Sequence, residues 1–458
     1  MSAAAFDAIV VGAGQAGPSL AARLAGAGRK VAIVERKHFG GTCVNTGCMP
    51  TKALVASARA AHVARHAAHW GVTIPGEVGV DMPAVRGRAR KVTMDARHGL
   101  ESWLGGTDGV TIYRGHAMFT GPHEIAVGAE RLTAPNIFLN VGGRAVVPDL
   151  PGVNDAPHLD NVSVLDLQEV PRHLVVVGGS YIGLEFAQMH RRFGAQVTIV
   201  EKSGRLIARE DPEVSDAIAE ILKGEGIELR LNAECISFAP HAEGVAVGVD
   251  CKAGAPQVVG SHVLLATGRR PNTDDLGLDV AGIETDARGY IKVDDELRAS
   301  AEGVWALGDC NGRGAFTHTA YNDYEIVAAN LLDGDRRRVS DRISTYALFI
   351  DPPLGRCGMT EAQARAEGRS IRVGTRPMTR VGRAVEKGET QGFMKVVVDA
   401  DTDAILGGAI LGVEGDEAIH SVLDVMATGR PYTTLQRTVH IHPTVAELIP
   451  TVLGELKP

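Results

Sequence analysis

The same device occurs twice in this chain, the second copy following the first at a constant offset of 166 positions. In the first copy, the apolar strand Asp7-Ala8-Ile9-Val10-Val11 runs into Gly12-Ala13-Gly14-Gln15-Ala16-Gly17. A helical run through Leu20 and Leu24 to Gly28 follows, and then a strand from Val31 to Val34 that ends at Glu35. In the second copy, Leu174-Val175-Val176-Val177 leads into Gly178-Gly179-Ser180-Tyr181-Ile182-Gly183, and the offset matches Gly12 with Gly178, Gly17 with Gly183, Ala21 with Ala187, Gly28 with Gly194 and Glu35 with Glu201. A glycine run alone is weak evidence. Placed between two strands and a helix, it makes a pyrophosphate cradle: the glycines let the backbone turn tightly and approach the phosphates, the helix N-terminus faces their charge, and the closing acid meets the ribose hydroxyls. Two such units imply two dinucleotides. Ser180 stands where the first copy has Gly14, so the second turn is less permissive at that point.

Just after the first unit comes Gly40-Gly41-Thr42-Cys43-Val44-Asn45-Thr46-Gly47-Cys48-Met49-Pro50-Thr51-Lys52, whose cysteines are five positions apart. That spacing suits a zinc site poorly. A bridge between them needs Cα atoms roughly 4.4 to 6.8 Å apart, whereas five residues of helix rise about 7.5 Å and five of strand about 16 Å. A bridged segment therefore has to fold back on itself, and Gly40, Gly41, Asn45 and Gly47 give the backbone freedom to do so. Pro50 fits the first turn of a helix running through Lys52-Ala53-Leu54-Val55-Ala56, which puts Cys48 at a helix N-terminus, where a thiolate is favoured. The spacing alone also allows two unpaired cysteines in a glycine-rich loop.

The run G-G-T-C-V-N-x-G-C-x-P-x-K resembles the active-site signature of the flavin disulfide reductases, the pyridine nucleotide-disulfide oxidoreductases of the dihydrolipoamide dehydrogenase, glutathione reductase and mercuric reductase kind. The chain as a whole is similar to their mercuric-reductase-like and reactive-chlorine-resistance members. The resemblance implies that the first unit binds FAD and the second a nicotinamide nucleotide. It also implies that Cys43 and Cys48 form a redox-active disulfide, with Cys48 the sulfur nearer the flavin and Cys43 the one that attacks the acceptor.

The same resemblance carries other roles onto matching positions. Gly12, Gly14, Gly17, Glu35, Gly41, Thr42 and Lys52 would contact FAD, joined by Gly115 and Ala117 of the adenine turn Gly115-His116-Ala117. Val263-Leu264-Leu265-Ala266-Thr267-Gly268-Arg269-Arg270-Pro271-Asn272 resembles the segment that returns the chain to the flavin domain, and Gly308-Asp309 the turn that receives the ribityl hydroxyls. Thr317 opens a helix beneath the ring system, with His318 beside it in a structural role. The nicotinamide site would use Gly178, Tyr181, Ile182, Gly183, Glu201 and Gly268. Tyr181 resembles the residue that covers the flavin until nicotinamide displaces it, and Glu185 the carboxylate that pairs with Lys52. One departure stands out: Ile137-Phe138-Leu139-Asn140-Val141-Gly142-Gly143 falls where relatives carry A-T-G.

Near the end, His440-Ile441-His442-Pro443-Thr444-Val445-Ala446-Glu447 resembles the H-P-T-x-x-E signature of the dimerisation domain. In that family the histidine serves the partner subunit's cysteines and the glutamate orients it. Imidazole suits the task, since its pKa of about 6.5 lets it take a proton from a thiol and return it to a leaving thiolate. His442 is the expected acid/base and Glu447 its partner. The H-x-H of His440 and His442 has no further ligand cluster, so no metal site is expected.

A chain of 458 residues is too long for one core and suggests roughly two to four domains. The expected architecture is α/β, with two Rossmann-like dinucleotide-binding domains and a C-terminal α+β dimerisation domain. The expected boundaries are 1–148 for FAD, 149–269 for the nicotinamide nucleotide, 270–337 for the return to the FAD domain and 338–458 for dimerisation. Pro148, Pro151 and Pro157 punctuate an expected linker between the first two. A net charge of −8 gives no support for a nucleic-acid partner. The chain starts without a basic or long apolar leader and has no apolar run near the roughly 20 residues that span a bilayer, so a cytoplasmic enzyme without membrane contact is expected. Of six cysteines, Cys235, Cys251, Cys310 and Cys357 stand alone and read as structural.

Glu201 favours NADH, because an acid there binds a free 2′-hydroxyl and repels a 2′-phosphate. Lys202, Arg205 and Arg209 leave NADPH as the alternative. The resulting expectation is an FAD-dependent homodimeric enzyme that passes electrons from NADH through Cys43 and Cys48 to a small disulfide. A mercuric or cupric ion reductase is the enzymatic alternative. A docking subunit of a 2-oxo-acid dehydrogenase complex is the alternative of another class.

Overall fold

Both glycine turns sit at the ends of parallel strands buried on two faces. The computed structural model describes residues 3–249 and 256–458, so Cys251 lies outside the described residues. The chain forms two compact units, each discontinuous in sequence. The first comprises the residues up to Ala53, Arg86–Val146 and Gly268–Arg342, and the second comprises Leu54–Val85, Val147–Thr267 and Ile343–Pro458.

In the first unit, a parallel sheet runs in the order Val304–Ala306, Asn136–Leu139, Ala8–Val11, Val31–Glu35, Val110–Arg114. Its central strands Ala8–Val11 and Val31–Glu35 are apolar without alternation up to Glu35 because both faces are covered, whereas the edge strand Val110–Arg114 is only partly buried. Val10, Ile33 and Phe138 pack with Leu20 and Leu24 of the helix Gly17–Gly26. Their sequence neighbours Ile9, Val11, Val34 and Leu139 point the other way, onto Phe119, Ile125 and Leu132 of a second, four-stranded sheet. A side chain as buried as Leu20 contributes about 1.5–3 kcal/mol.

The second unit repeats this plan with the order Glu228–Arg230, Gln196–Val200, His173–Val177, His262–Leu265. The register repeats too: Ala8 faces Val31, and Leu174 faces Val197, 166 positions further on in both strands. The expected linker is not a free tether. Val153 and Ala156 are buried in the core of this unit, and the Pro151 carbonyl accepts the Phe238 amide, so the prolines end one element and dock the next.

The region from Ala53 to Arg97 divides into two helices. The helix Cys48–Arg65 is followed by a short turn, Ala67–Trp70, which Gly71 stops with φ +73°. The helix Met82–Gly105 starts after Asp81, whose carboxylate accepts the Ala84 amide at 3.0 Å. The second unit also holds a three-stranded antiparallel sheet of Ser237–His241, Gly244–Gly248 and Gln257–Gly260, and a five-stranded antiparallel sheet in the order Thr345–Leu348, Leu354–Gly358, Ile405–Leu411, Phe393–Asp399, Ile371–Pro377. The helices His420–Ala427 and Ile449–Gly454 pack on it. Among the described residues no helix is long and apolar enough to cross a membrane.

Candidate redox active site

The two cysteines meet where one short helix ends and a long one begins. Gly41–Thr46 carries Cys43, and Cys48 is the first residue of Cys48–Arg65, with Gly47 alone between the helices. A Cβ on Gly47 would stand 2.9 Å from the Thr42 carbonyl oxygen and 3.3 Å from the Cys43 Cα, so only glycine lets the second helix start this close to the first. The Cys43 and Cys48 side chains are hydrogen-bonded to each other, and this contact, reinforced by burial, pushes the Cys43 thiol far above its usual range while Thr317 and Lys52 oppose the shift. Cys48 Sγ also lies 3.1 Å from Thr317 Oγ1, the first residue of the helix Thr317–Ala328.

The glycine turn of the same unit fits a pyrophosphate. A Cβ on Gly12 would lie 2.3 Å from the Asn140 carbonyl oxygen, one on Gly17 2.1 Å from the Gly12 carbonyl oxygen, and one on Gly41 2.8 Å from the Gly14 Cα. Glu35 accepts the Ala13 amide at 2.9 Å and the Lys37 amide at 2.7 Å, holding its carboxylate at the lip of the turn. Gly115, ahead of the strand that Ala117 opens, donates its amide to the Glu35 carbonyl. Asp309 follows Gly308 in a short turn held by Asp323, which accepts the Gly308 amide at 2.7 Å. Burial raises the Asp309 carboxyl above its ordinary range, and Arg269, 3.7 Å away, opposes this. A carboxylate so poorly solvated is a ready acceptor for hydroxyls.

The second unit repeats the cradle. A Cβ on Gly178 would lie 2.4 Å from the Ala266 carbonyl oxygen, and one on Gly183 2.1 Å from that of Gly178. Glu201 accepts the Gly179 amide at 2.6 Å and the Ser203 amide at 2.8 Å. Tyr181 and Ile182 open the helix Tyr181–Phe193, and burial pushes the Tyr181 hydroxyl up to about 12 against the opposing charge of Arg209. The Arg209 guanidinium lies 5.4 Å from the Tyr181 ring centre, so this arginine, a candidate for a 2′-phosphate, is engaged with the tyrosine. Glu185 is buried in the same helix and accepts the Phe349 amide at 3.0 Å. Gly268 falls in the first unit, where its carbonyl accepts the Val146 amide. His442 Nδ1 sits 2.9 Å from Glu447 Oε2, which requires the Nδ1–H tautomer or the imidazolium and leaves Nε2 to exchange protons. The imidazole is 80% exposed, flanked by the exposed Val439 and Ile441.

Residues 6–323 match the family description "Pyridine nucleotide-disulphide oxidoreductase", and residues 344–453 match the dimerisation domain of the same family. The chain belongs to the pyridine nucleotide-disulphide oxidoreductases. It is 35% identical to the "Probable pyridine nucleotide-disulfide oxidoreductase RclA" of Escherichia coli, over 99% of both chains. It is 32% identical to a mercuric reductase of Streptomyces lividans over 97% of this chain and 94% of that one, and 33% identical to a dihydrolipoyl dehydrogenase of Geobacillus stearothermophilus over 96% and 94%. A solved structure described as the Cu(II) complex of the HOCl-induced flavoprotein disulfide reductase RclA from Escherichia coli superimposes with a TM-score of 0.88 at 36% identity, covering 98% of this chain and 99% of that one.

As a pyridine nucleotide-disulphide oxidoreductase the protein is an FAD- and NAD(P)H-dependent enzyme, and the two cradles are of the right kind to hold both dinucleotides. Two residues of the site carry contacts that the motifs did not assign to them. Asn140, in the segment that departs from A-T-G, accepts the Gly17 amide at 3.1 Å and donates to the Leu307 carbonyl at 3.0 Å, stitching the glycine turn to the strand before Asp309. Arg269 reaches Thr42 Oγ1 at 3.4 Å as well as Asp309, joining the cysteine segment to the Gly-Asp turn. In the sequence Asn140 was signalled by a polar residue at an otherwise apolar strand end, whereas Arg269 is one of two adjacent arginines after Gly268 and carried no such signal.

Proposed function

We propose that this oxidoreductase is an NADH-preferring disulfide reductase, working as a cytoplasmic homodimer, that transfers electrons through Cys43 and Cys48 to a small disulfide. The observation that carries this reading is the hydrogen-bonded cysteine pair at the start of an 18-residue helix, in the same unit as the FAD cradle. FAD, when bound, mediates between the two-electron hydride of the nicotinamide and the sulfurs. The protein residues do the rest. Neutral His442 takes the proton of the Cys43 thiol, the resulting thiolate attacks one sulfur of the acceptor to form a mixed disulfide, and the His442 imidazolium so formed protonates the first thiolate released. Cys48 then attacks Cys43, which re-forms the Cys43–Cys48 bond and releases the second thiolate. Glu447 holds His442 in the tautomer this requires, and in the dimer the partner's His442 serves these cysteines. Lys52 supports the negative charge of the reduced flavin, and Glu201 holds the adenosine ribose of NADH. The segments 1–148, 149–269, 270–337 and 338–458 take the FAD, nicotinamide, return and dimerisation roles.

A second reading, reduction of a metal ion, is favoured by the Cu(II) complex of the RclA relative and by the mercuric reductase relative. Acceptor screening separates the two, because a metal ion needs no proton returned to a leaving sulfur. Faster NADH oxidation with lipoamide or glutathione disulfide, lost in His442→Gln, supports the disulfide reading. Faster turnover with Cu(II) or Hg(II), indifferent to that substitution, overturns it.

A further inference from the structure

Tyr181, the first residue of its helix, has two neighbours against its ring. The Arg209 guanidinium lies over it at 5.4 Å from the ring centre, and the Tyr346 ring meets it edge-on, with centres 5.3 Å apart and planes at 76°. Both contacts trace to one buried acid. Glu210, 4% exposed, is the chain neighbour of Arg209 and accepts the hydrogen bond donated by the Tyr346 hydroxyl. Its other oxygen lies 3.8 Å from Nε of Arg356, whose side chain is 1% exposed. Arg356 is in turn the cross-strand partner of Tyr346 in the antiparallel sheet. The strand pairing therefore sets the tyrosine and the arginine side by side against the same carboxylate.

The loop that carries Arg209 and Glu210 is held at both ends. At its start, the buried Ile207 adopts φ +43°, a conformation that a β-branched residue takes only when its surroundings impose it. Its amide is bound by the Gly179 carbonyl of the glycine turn. At its end, the Asp211 carboxylate accepts the Glu361 and Ala362 amides at 3.1 and 3.0 Å and the Lys395 ammonium at 3.0 Å. A loop fixed at both ends gives Arg209 a defined place over the ring.

We propose that Tyr346 is a positioning residue that, anchored by Glu210 and Arg356, holds the Tyr181 ring in its resting place together with Arg209. The inference rests on the reading of Tyr181 as the residue that nicotinamide displaces. If the ring must leave before NADH can enter, every contact that holds it lowers the fraction of enzyme ready to bind, and the apparent affinity falls by that fraction. Loosening the ring then tightens NADH binding without speeding the later steps.

The test is steady-state kinetics of the FAD-loaded enzyme with NADH as the varied substrate. Tyr346→Leu, which removes both the ring edge and the hydroxyl, is expected to lower KM about threefold to tenfold with no rise in kcat. Arg209→Gln, at an exposed position, is a second variant that removes the other contact on the same ring and lowers KM in the same direction. In a Tyr181→Ala background neither substitution should add anything, because the group they act on is gone. An unchanged KM in Tyr346→Leu and Arg209→Gln, or effects that persist in the Tyr181→Ala background, overturns the positioning role while leaving the gate reading intact if Tyr181→Ala alone lowers KM. An unchanged KM in Tyr181→Ala overturns the gate reading, and the positioning role falls with it.

Discussion

The two glycine turns are built on one plan down to individual hydrogen bonds, and one of the differences between them is matched by a change in the next strand. In both, the first glycine donates to the end of the second strand: Gly12 to the Val34 carbonyl at 2.8 Å, Gly178 to the Val200 carbonyl at 2.9 Å. In both, the closing glutamate takes the amide of the residue after that glycine and the amide two beyond itself. The difference lies in the next strand. Asn140 fills the space above Gly14, where a Cβ would stand 2.9 Å from its side-chain oxygen, whereas its counterpart Ala266 leaves that space open and Ser180 takes the place of Gly14. Ser180 is thus a matched change rather than a flaw in a motif. A glycine is needed where a neighbour occupies the space of its Cβ, and the neighbour can change with it.

What leaves each turn differs more. The Ala13 carbonyl receives the Gly40 amide, and that chain goes on into the helix of Cys43. The corresponding Gly179 carbonyl receives the Ile207 amide, and that chain goes on to Arg209 and Glu210 beside Tyr181. One position in the repeat thus leads to the cysteine pair in one unit and to the contacts on Tyr181 in the other.

The sharpest way to break this division is at the sulfurs. Cys48→Ser should keep the yellow flavin and lose roughly a thousandfold or more of NADH-driven disulfide reduction, measured as thiol release; substantial thiol release would remove the cysteine pair from the reaction. Next come the paired glycines, whose added methyls meet backbone oxygens at the same 2.1 Å. If the units bind different nucleotides, Gly17→Ala should yield protein depleted of flavin. Gly183→Ala should retain its flavin and raise the KM for NADH roughly tenfold to a hundredfold, in keeping with overpacking of about 1–3 kcal/mol. The reverse pattern would exchange the assignments. Asn140→Ala should cost about 1–3 kcal/mol, seen in chemical denaturation, because it strips partners from the Gly17 amide and the Leu307 carbonyl. Ser180→Gly should change stability by less than about 1 kcal/mol. Equal effects would refute the matched-change account. Glu201→Gln should raise the NADPH-to-NADH preference by roughly tenfold, since a charge that repels a 2′-phosphate is gone; an unchanged ratio would transfer specificity to Lys202 and Arg205.

The smallest effects concern acid. Burial alone would raise the Asp351 carboxyl of the second unit, but Arg192 and Arg59 overcome it and hold the group below the usual 3.8. Its stabilisation is present above pH 3.8 and disappears as pH falls through the lower folded value. Asp309 in the first unit has the opposite sign. Its raised carboxyl favours the folded state below pH 3.8, and that advantage is lost as pH rises through the folded value. Asp351→Asn should therefore melt earlier than the parent at neutral pH and converge with it in strong acid. Asp309→Asn, stripped of flavin, should melt later at neutral pH and converge likewise. Melting temperatures across a pH series check both.

The residues alone determined that two nucleotide units exist, how they align, where the cysteine pair lies, and that a strand-rich segment with His442 and Glu447 closes the chain. Those features are local: period, glycine spacing and the acid at a strand end all depend on residues within a few turns of one another. What only the tertiary structure decided was set by contacts between distant segments. Asn140 became a stitch because Gly17 and Leu307 came to it from either side, separated from it by 123 and 167 positions. Arg209, in sequence one of three cations after Glu201, became a tyrosine contact because its loop is tied down by Asp211 and the Gly179 carbonyl. Tyr346 reached the Tyr181 ring only because strand pairing set it beside Arg356 and against Glu210. A side chain's partners are chosen by which surfaces the burial of apolar strands brings together, and no spacing in the chain records that choice.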